Sequence, residues 1–281
     1  MKKVKVGIIG HTGRLGKPLK KLLGKHPFAE IVYTESRSKG KWGNLSNAEM
    51  VFLALHPGKS KTYIPRLNGK RVIDLSIDYR NSRDWVYGLS EIFGTEIKRA
   101  TRVANPGCYA TSILLGLYPL KGKIEEIFIA STSGISGAGL EISKEDNFLI
   151  YKAGTQHSQI QEIKRVMGLK SIVFVPQRID TAECGIVSTM FIRTGDLENL
   201  ADLYCKAYKK HPFVRVITDP KNDIESKNVI GTNFCDIKVL KCGKQAVIVS
   251  ALDNLMKGGA SQAVQNFNLM CGFKETLALL R

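Results

Sequence analysis

Cys108 closes a Pro-Gly turn in the string Val103-Ala104-Asn105-Pro106-Gly107-Cys108-Tyr109-Ala110-Thr111. The residues that follow it, Ala110 to Tyr118, are apolar enough to form a buried helix. A thiol at a helix N-terminus meets the positive end of the helix dipole and backbone N–H groups that have no intrahelical partner. Both favour the thiolate, which is the nucleophilic form. A cysteine after a turn can equally be a buried structural residue. Two further features of the chain favour chemistry here: a glycine loop at residues 10–16 and a histidine at 157.

His157 precedes Ser158-Gln159-Ile160-Gln161, and Ser158-x-x-Gln161 has the form of a capping box. Ile160, Ile163 and Met167 supply the apolar face of the helix that would follow, Gln159 to Met167. A histidine at such a start is held neutral by the dipole and can move a proton near neutral pH. Glu162, in the first turn, is placed to orient the imidazole or to grip a substrate amide. A cysteine nucleophile with a histidine acid–base suits acyl transfer through a covalent intermediate.

The glycine loop reads Gly10-His11-Thr12-Gly13-Arg14-Leu15-Gly16. It follows an apolar strand, residues 4–9, and opens a helix through about Leu23. Such a loop cradles a pyrophosphate: Gly10 and Gly13 allow close approach to backbone, and Gly16 allows tight helix–strand packing. The second strand, Glu30 to Thr34, is followed by Glu35-Ser36-Arg37-Ser38. A hydroxyl and a guanidinium suit a ribose 2′-phosphate, so NADP is expected rather than NAD, with Glu35 the residue that argues the other way. A second small-residue loop, Ser133 to Gly139, follows a strand and brings Ser136 and Gly137 into the set of cofactor candidates. Asn254 has the chemistry to hydrogen-bond the nicotinamide carboxamide, or to form an Asx turn.

The elements that position these residues fall into two patterns. Strands at Met50–Ala54 and Arg71–Leu75 continue the strand–helix alternation of the first hundred residues. That alternation predicts an α/β fold with a doubly wound, parallel, Rossmann-like sheet. After Cys108, strands are expected at 126–131, 171–175, 185–192, 234–240 and 245–251, with helices only at 159–167 and 197–209. This predicts an α+β domain with a mixed sheet. A last helix, about Lys257 to Leu280, is assigned to the first domain, because a parallel sheet needs cover on both faces. The expected division is residues 1–105 with 254–281 for the nucleotide, and 106–253 for catalysis and dimerisation.

Taken together, these strings resemble the N-acetyl-γ-glutamyl-phosphate reductase family, the semialdehyde-forming enzymes of arginine biosynthesis. The likeness also runs through Val51–Leu55, Val72–Ser76, Val86–Leu89, Gly231-Thr232-Asn233 and Asp253 to Asn268, covering nearly the whole chain. The resemblance implies a catalytic cysteine at Cys108, a histidine base at His157, NADPH as hydride donor and an acylated glutamyl phosphate as substrate. It also implies that Asn105, Tyr151 and Glu162 line the substrate site, and that the enzyme is a homodimer or homotetramer. Three departures bear on the substrate. The family has His-Arg-His where this chain has His157-Ser158-Gln159, so an arginine is absent there. A second family arginine reads Cys184, and His56-Pro57 is in reversed order. The chain is also shorter than is typical of the family. A sister branch acts on aminoadipyl or glutamyl phosphate carried on a small acidic amino-group carrier protein. That substrate stays open from the sequence, as does a catalytically silent NADP-binding regulator.

Bulk properties narrow the field. Of the 281 residues, 43% are hydrophobic, enough for one or two cores. No apolar run reaches 18 residues, and Lys2, Lys3 and Lys5 precede only a short apolar stretch, so no membrane span or signal peptide is expected. Six cysteines match no zinc spacing and no C-x-x-C pair, so no metal site is expected; free thiols suggest a cytoplasmic protein. The net charge of +17 is uneven: residues 1–105 carry 21 Lys and Arg against 8 Asp and Glu. That half attracts anions such as a phosphorylated cofactor or an acidic partner. No helix-turn-helix, zinc finger or basic-aromatic stripe accompanies the charge, so nucleic acid is not expected.

Overall fold

The structure is a computed structural model that describes residues 2–137, 147–193 and 199–279. Its chain divides into two compact units, Met1–Gly107 with Gly259–Arg281, and Cys108–Gly258. These cuts fall two and five residues beyond those expected. Asn105 is bonded into the first unit, its N–H donating to the Asp74 carbonyl and its side chain to the Gly259 carbonyl. Residues just past Asp253 belong to the second, where Asn254 accepts from the Gly185 N–H.

The first unit contains β1 (Val4–Ile9), α1 (Gly16–Lys25), β2 (Ala29–Ser36), β3 (Gly40–Gly43), β4 (Met50–Leu53), α2 (Ser60–Tyr63), β5 (Arg71–Asp74), β6 (Val86–Tyr87), α3 (Ser90–Arg99) and β7 (Arg102–Ala104). Its strands form one sheet in the order β3-β2-β1-β4-β5-β7-β6. Every pairing is parallel except the β2–β3 hairpin. The strand order reverses direction at β1, between β2 and β4, which is where such sheets bind ligands. β4 is buried along its whole length, as a strand covered on both faces must be. α1 buries Leu19 and Leu23, four residues apart, each worth about 1.5–3 kcal/mol, and turns its lysines outward.

The second unit contains α4 (Cys108–Leu117), β8 (Glu126–Gly134), β9 (Phe148–Ile150), α5 (Ile160–Met167), β10 (Ser171–Ile179), β11 (Ile186–Arg193), α6 (Leu200–Tyr208), β12 (Val214–Val216), β13 (Cys235–Cys242) and β14 (Gln245–Leu252). The mixed sheet has the order β12-β13-β14-β11-β8-β10-β9. α4 packs on β11 and β14, α5 on β10, and α6 on β12 and β13. Strand alternation puts Ile127, Ile129 and Ser131 of β8 on the buried side and Phe128 on the other, where Phe128 lies opposite Phe191 of β11. Both of these phenylalanines are exposed. The helix expected to begin at 197 starts at Leu200 among the described residues; Leu197 lies outside them.

A π-helical turn, Met256–Ala260, leads into α7 (Ser261–Met270), which returns to the first unit against α1, α3 and β5. This helix ends at Met270 rather than 280, and Leu280 lies outside the described residues. Gly272 takes a left-handed φ of 70° and the Phe273 N–H donates back to the Asn268 carbonyl. Phe273 can then stack on Phe28 at 5.2 Å, which rewards the turn with aromatic packing.

Candidate active site

Cys108 is the first residue of α4 and is partly exposed, while Tyr109 to Leu117 are all buried. The helix is held along its length. At its start, the Ala110 N–H donates to Gln159 Oε1 at 2.8 Å. In the middle, Ser112 bonds Ser188 and Ser250, and Ser131 joins the same chain of hydroxyls from β8. At its end, the carbonyls of Leu115 and Gly116 accept from the Tyr208 and Tyr204 hydroxyls of α6. Gly258, in the π-helical turn, has to be glycine: a Cβ there would lie 2.7 Å from the Cys108 Cβ. Cys108 therefore starts a helix that has little freedom to shift or rotate.

His157 is brought in by an unusual edge. β9 pairs antiparallel with β10, and the chain continues alongside it: the Tyr151 N–H donates to the Pro176 carbonyl, and Gly154 pairs with Phe174. The imidazole is buried in an aromatic cage, its centroid 5.4 Å from Tyr109, 5.2 Å from Phe174 and 6.0 Å from Tyr151. Burial first, and the Lys152 charge second, push its pKa down to about 4, so the ring is neutral at pH 7. The Gln159 N–H points at Nδ1 at 3.4 Å, which assigns the proton to Nε2. The capping box does not form. α5 starts at Ile160 with Gln159 at its N-cap, Ser158 is exposed, and the Gln159 side chain caps α4 instead. Gln159 had no sequence signal, because the bond it makes joins residues 49 apart.

The other expected site residues are distributed as follows. Tyr151 donates to the Tyr109 hydroxyl, which donates to the Gln177 carbonyl. Burial raises the pKa of both tyrosines, and the Cys108 charge adds to it, so they stay protonated donors. Glu162 is fully buried in the first turn of α5. Asn105, expected at the substrate, is 1% exposed, and its amide is spent on the Gly259 carbonyl and Asn266. In the fold it clamps the turn before Cys108. Asn254 is similarly occupied, accepting from Gly185 and donating to Ser136, which in turn meets Cys184. Gly137 packs so closely that a Cβ would lie 2.6 Å from Ser133 Oγ. Ala138 and Gly139 of that loop lie outside the described residues.

In the first unit the loop of residues 10–16 fits a dinucleotide. Gly10 has φ +88°, and a Cβ on Gly10 or Gly16 would lie 2.1 Å from a backbone oxygen. The Gly10 and Gly13 N–H groups are bonded within the fold, to Glu35 and Gly10 carbonyls, so these glycines contribute room rather than donors. α1 begins at Leu15–Gly16 with no capping side chain and no acidic residue in its first turn, which leaves its positive end for an anion. His11 bonds the Glu35 carbonyl, and Ser38 bonds Thr12. Beside them is a basin of about 700 Å³ lined by His11, Thr12, Lys17, Lys20, Ser38 and Lys39, with Arg14 part-buried in the loop and Arg37 exposed past β2. The Ser36 hydroxyl accepts from the Lys39 N–H. Glu35 is bound inside the fold, its carboxylate accepting from Tyr33 at 2.5 Å, Tyr63 at 3.0 Å and Arg66 at 3.4 Å. Burial opposes its ionisation, but these donors and the Arg66 and Lys41 charges prevail, and its pKa lies below the ordinary value.

Known proteins resemble this chain over nearly its whole length. Residues 42–100 match the NAD-binding domain family of semialdehyde dehydrogenases, and residues 108–254 match their dimerisation domain family. N-acetyl-gamma-glutamyl-phosphate reductases from Alkaliphilus metalliredigens and Bacillus subtilis are each 36% identical, over 98% of this chain and 98% of theirs. The chain belongs to the N-acetyl-γ-glutamyl-phosphate reductase family. The reductase of Archaeoglobus fulgidus is 35% identical with the same coverage. Among solved structures, aspartate semialdehyde dehydrogenase II of Vibrio cholerae, complexed with ASA, superposes with a TM-score of 0.78 at 15% identity, covering 97% of this chain and 99% of that one. The Candida albicans aspartate semialdehyde dehydrogenase with NADP gives 0.75 at 14%, covering 96% and 99%. These two share the fold. As a member of this reductase family the chain is an oxidoreductase with a nucleotide-binding α/β unit. Among the described residues, no helix is long and apolar enough to cross a membrane.

Proposed function

We propose that this chain reduces N-acetyl-γ-glutamyl phosphate to N-acetylglutamate semialdehyde and phosphate with NADPH, the semialdehyde-forming step of arginine biosynthesis. The observation that carries this is the clamp at Gln159, whose side chain holds the start of the Cys108 helix while its N–H holds His157. The Cys108 thiolate attacks the acyl carbon, the carbon–oxygen bond to phosphate breaks, and a thioester remains on the sulfur. When bound, the cofactor supplies the hydride that reduces this thioester. The oxygen that gains charge is stabilised by the α4 N-terminus and by a hydrogen bond from the neutral His157 Nε2–H; as the carbon–sulfur bond breaks, that oxyanion becomes the aldehyde carbonyl and the sulfur leaves as thiolate. Aldehyde and thiolate are then released.

Three finer points follow the same lines. The burial of Glu35, with hydroxyls and cations left around Thr12, Ser36, Arg37 and Ser38, favours NADP over NAD. The exposed apolar face bearing Phe128 and Phe191 suits a homodimer, in keeping with the dimerisation family that matches this unit. Six free cysteines suit the cytoplasm. The carrier-linked substrate and the silent regulator gain no support from relatives named for the acetylated substrate.

The test runs in the oxidative direction: N-acetylglutamate semialdehyde, phosphate and NADP+ or NAD+, followed as reduced cofactor. NADP-dependent turnover that disappears in Cys108→Ser, with NADPH binding retained, is the expected outcome. Turnover by Cys108→Ser would reject the covalent route, and absence of turnover by the natural chain would reject the substrate.

A further inference from the structure

We propose that Arg178 is the residue that recognises the substrate's free carboxylate, in place of the arginine absent at Ser158. The inference rests on the substrate proposed above, which carries an acyl phosphate at one end and an α-carboxylate at the other. A cation is needed at a fixed reach from the nucleophile, and Arg178 occupies such a place.

Alternation along β10 sets Ile172, Phe174, Pro176 and Arg178 on one buried face. Phe174 on that face touches both Tyr109 and His157, at 5.3 and 5.2 Å between ring centroids. Arg178 is therefore on the catalytic face of the strand, at its C-terminal end. Its register partners are Ser133, at the head of the small-residue loop, and Leu149 of β9, two residues before Tyr151. The Tyr109 hydroxyl donates to the carbonyl of the preceding residue, Gln177. Tyr151 feels both ends of this line: the Cys108 charge raises its pKa and the Arg178 charge lowers it. Sulfur, two phenols and a guanidinium thus border one stretch of the second unit.

The guanidinium is also prepared for recognition. Only 8% of Arg178 is exposed, and Asp180 holds it in a two-pronged pair, Nε to Oδ1 at 2.5 Å and Nη2 to Oδ2 at 3.0 Å. Nη1 takes no part in that pair. A buried ion pair is a poor source of stability, because desolvating two charges offsets most of their attraction. What the pair does supply is a planar donor fixed in direction, which suits a carboxylate better than a mobile lysine does. Lys152, the other cation acting on this site, is exposed.

The experiment compares N-acetylglutamate semialdehyde with its uncharged α-carboxamide, each with phosphate and NADP+. The natural chain is expected to prefer the carboxylate in kcat/KM by about 10- to 100-fold, the size of one charge-assisted hydrogen bond. In the double variant Arg178→Met with Asp180→Asn, which removes both charges together, the preference is expected to collapse to within about threefold, mostly through KM. Arg178→Lys keeps Asp180 paired and should retain a partial preference, so it decides the matter if the double variant does not fold. An unchanged preference in folded variants, or equal use of both aldehydes by the natural chain, would overturn the role of Arg178. No turnover of either aldehyde by the natural chain would instead reject the substrate, and this inference with it.

Discussion

α4 and α7 are both ten residues long and both lie in the protein interior, yet they are built from opposite materials. α4 is Cys-Tyr-Ala-Thr-Ser-Ile-Leu-Leu-Gly-Leu, and its few polar groups bond to serines and tyrosines of neighbouring elements. α7 is Ser-Gln-Ala-Val-Gln-Asn-Phe-Asn-Leu-Met, and every one of its residues is buried. Gln262 and Asn266 donate to the Gly88 carbonyl, Ser90 bonds Asn266, Gln265 bonds Glu91 and Glu275, and Asn268 bonds the Glu275 and Leu277 carbonyls. A buried amide costs little when every donor and acceptor finds a partner, and much when one does not. The apolar helix is thus tolerant in its middle and demanding at its first turn. The amide helix is demanding throughout, and through Asn266 and Asn105 it also sets the turn that precedes Cys108.

Asn266→Leu should separate the two most sharply. It removes one of the partners of each of the Gly88 carbonyl, Ser90 and Asn105, all buried, and a loss of about 2 kcal/mol in urea unfolding is expected. A loss below about 0.5 kcal/mol would mean that the amide network is ornamental and the contrast false. In α4, Ser112→Ala removes only hydroxyl contacts and should cost about 1 kcal/mol or less by the same measurement.

Gly258→Ala comes next, and it should act on rate rather than on stability. The added methyl meets Cys108, so the proposed nucleophile has to move; kcat is expected to fall about 10- to 100-fold. A variant with normal kcat would show that the start of α4 tolerates displacement. Gln159→Ala removes the cap from Ala110 and should cost about 1 kcal/mol. Gln159→Glu keeps an acceptor there but adds negative charge beside the thiol, so alkylation of Cys108 should require a higher pH than in the natural chain. Identical alkylation profiles would remove Gln159 from the site.

A further effect concerns pH. Unfolded, a histidine titrates near 6.5; in the fold His157 titrates at about 4. Between those values the unfolded chain binds the extra proton, so this contribution to stability is complete above pH 6.5 and is lost as the pH falls toward 4. His26, also buried with a lowered pKa, acts in the same direction. The difference between the natural chain and His157→Gln isolates the one from the other, and equal slopes over that window would contradict a buried neutral His157.

Much of this molecule is legible in its residues, and what is not has a common cause. The strands around 4–9, 50–54 and 71–75, and five more after Cys108, follow from apolar runs and alternation, which are local signals. The placement of Cys108 follows from a turn and a helix start. β3, β6 and β7 are short, and β3 is exposed along its length, so periodicity barely marks them. The end of α7 is hidden because its polar residues look like a solvent face and are not. Gln159, Asn105 and Asn254 carry amides whose partners lie 49, 154 and 69 residues away, so their tasks become visible only in three dimensions.

The supports of α4 also bear on how the chain comes to be active. Its first turn waits for residue 159, its middle for residues 188 and 250, and its last turn for residues 204 and 208. Contacts so distant in sequence form late, after the entropy of closing long loops has been met. A nascent or partly folded chain therefore carries Cys108 as an ordinary thiol, and its reactivity toward an alkylating probe should report completion of the fold.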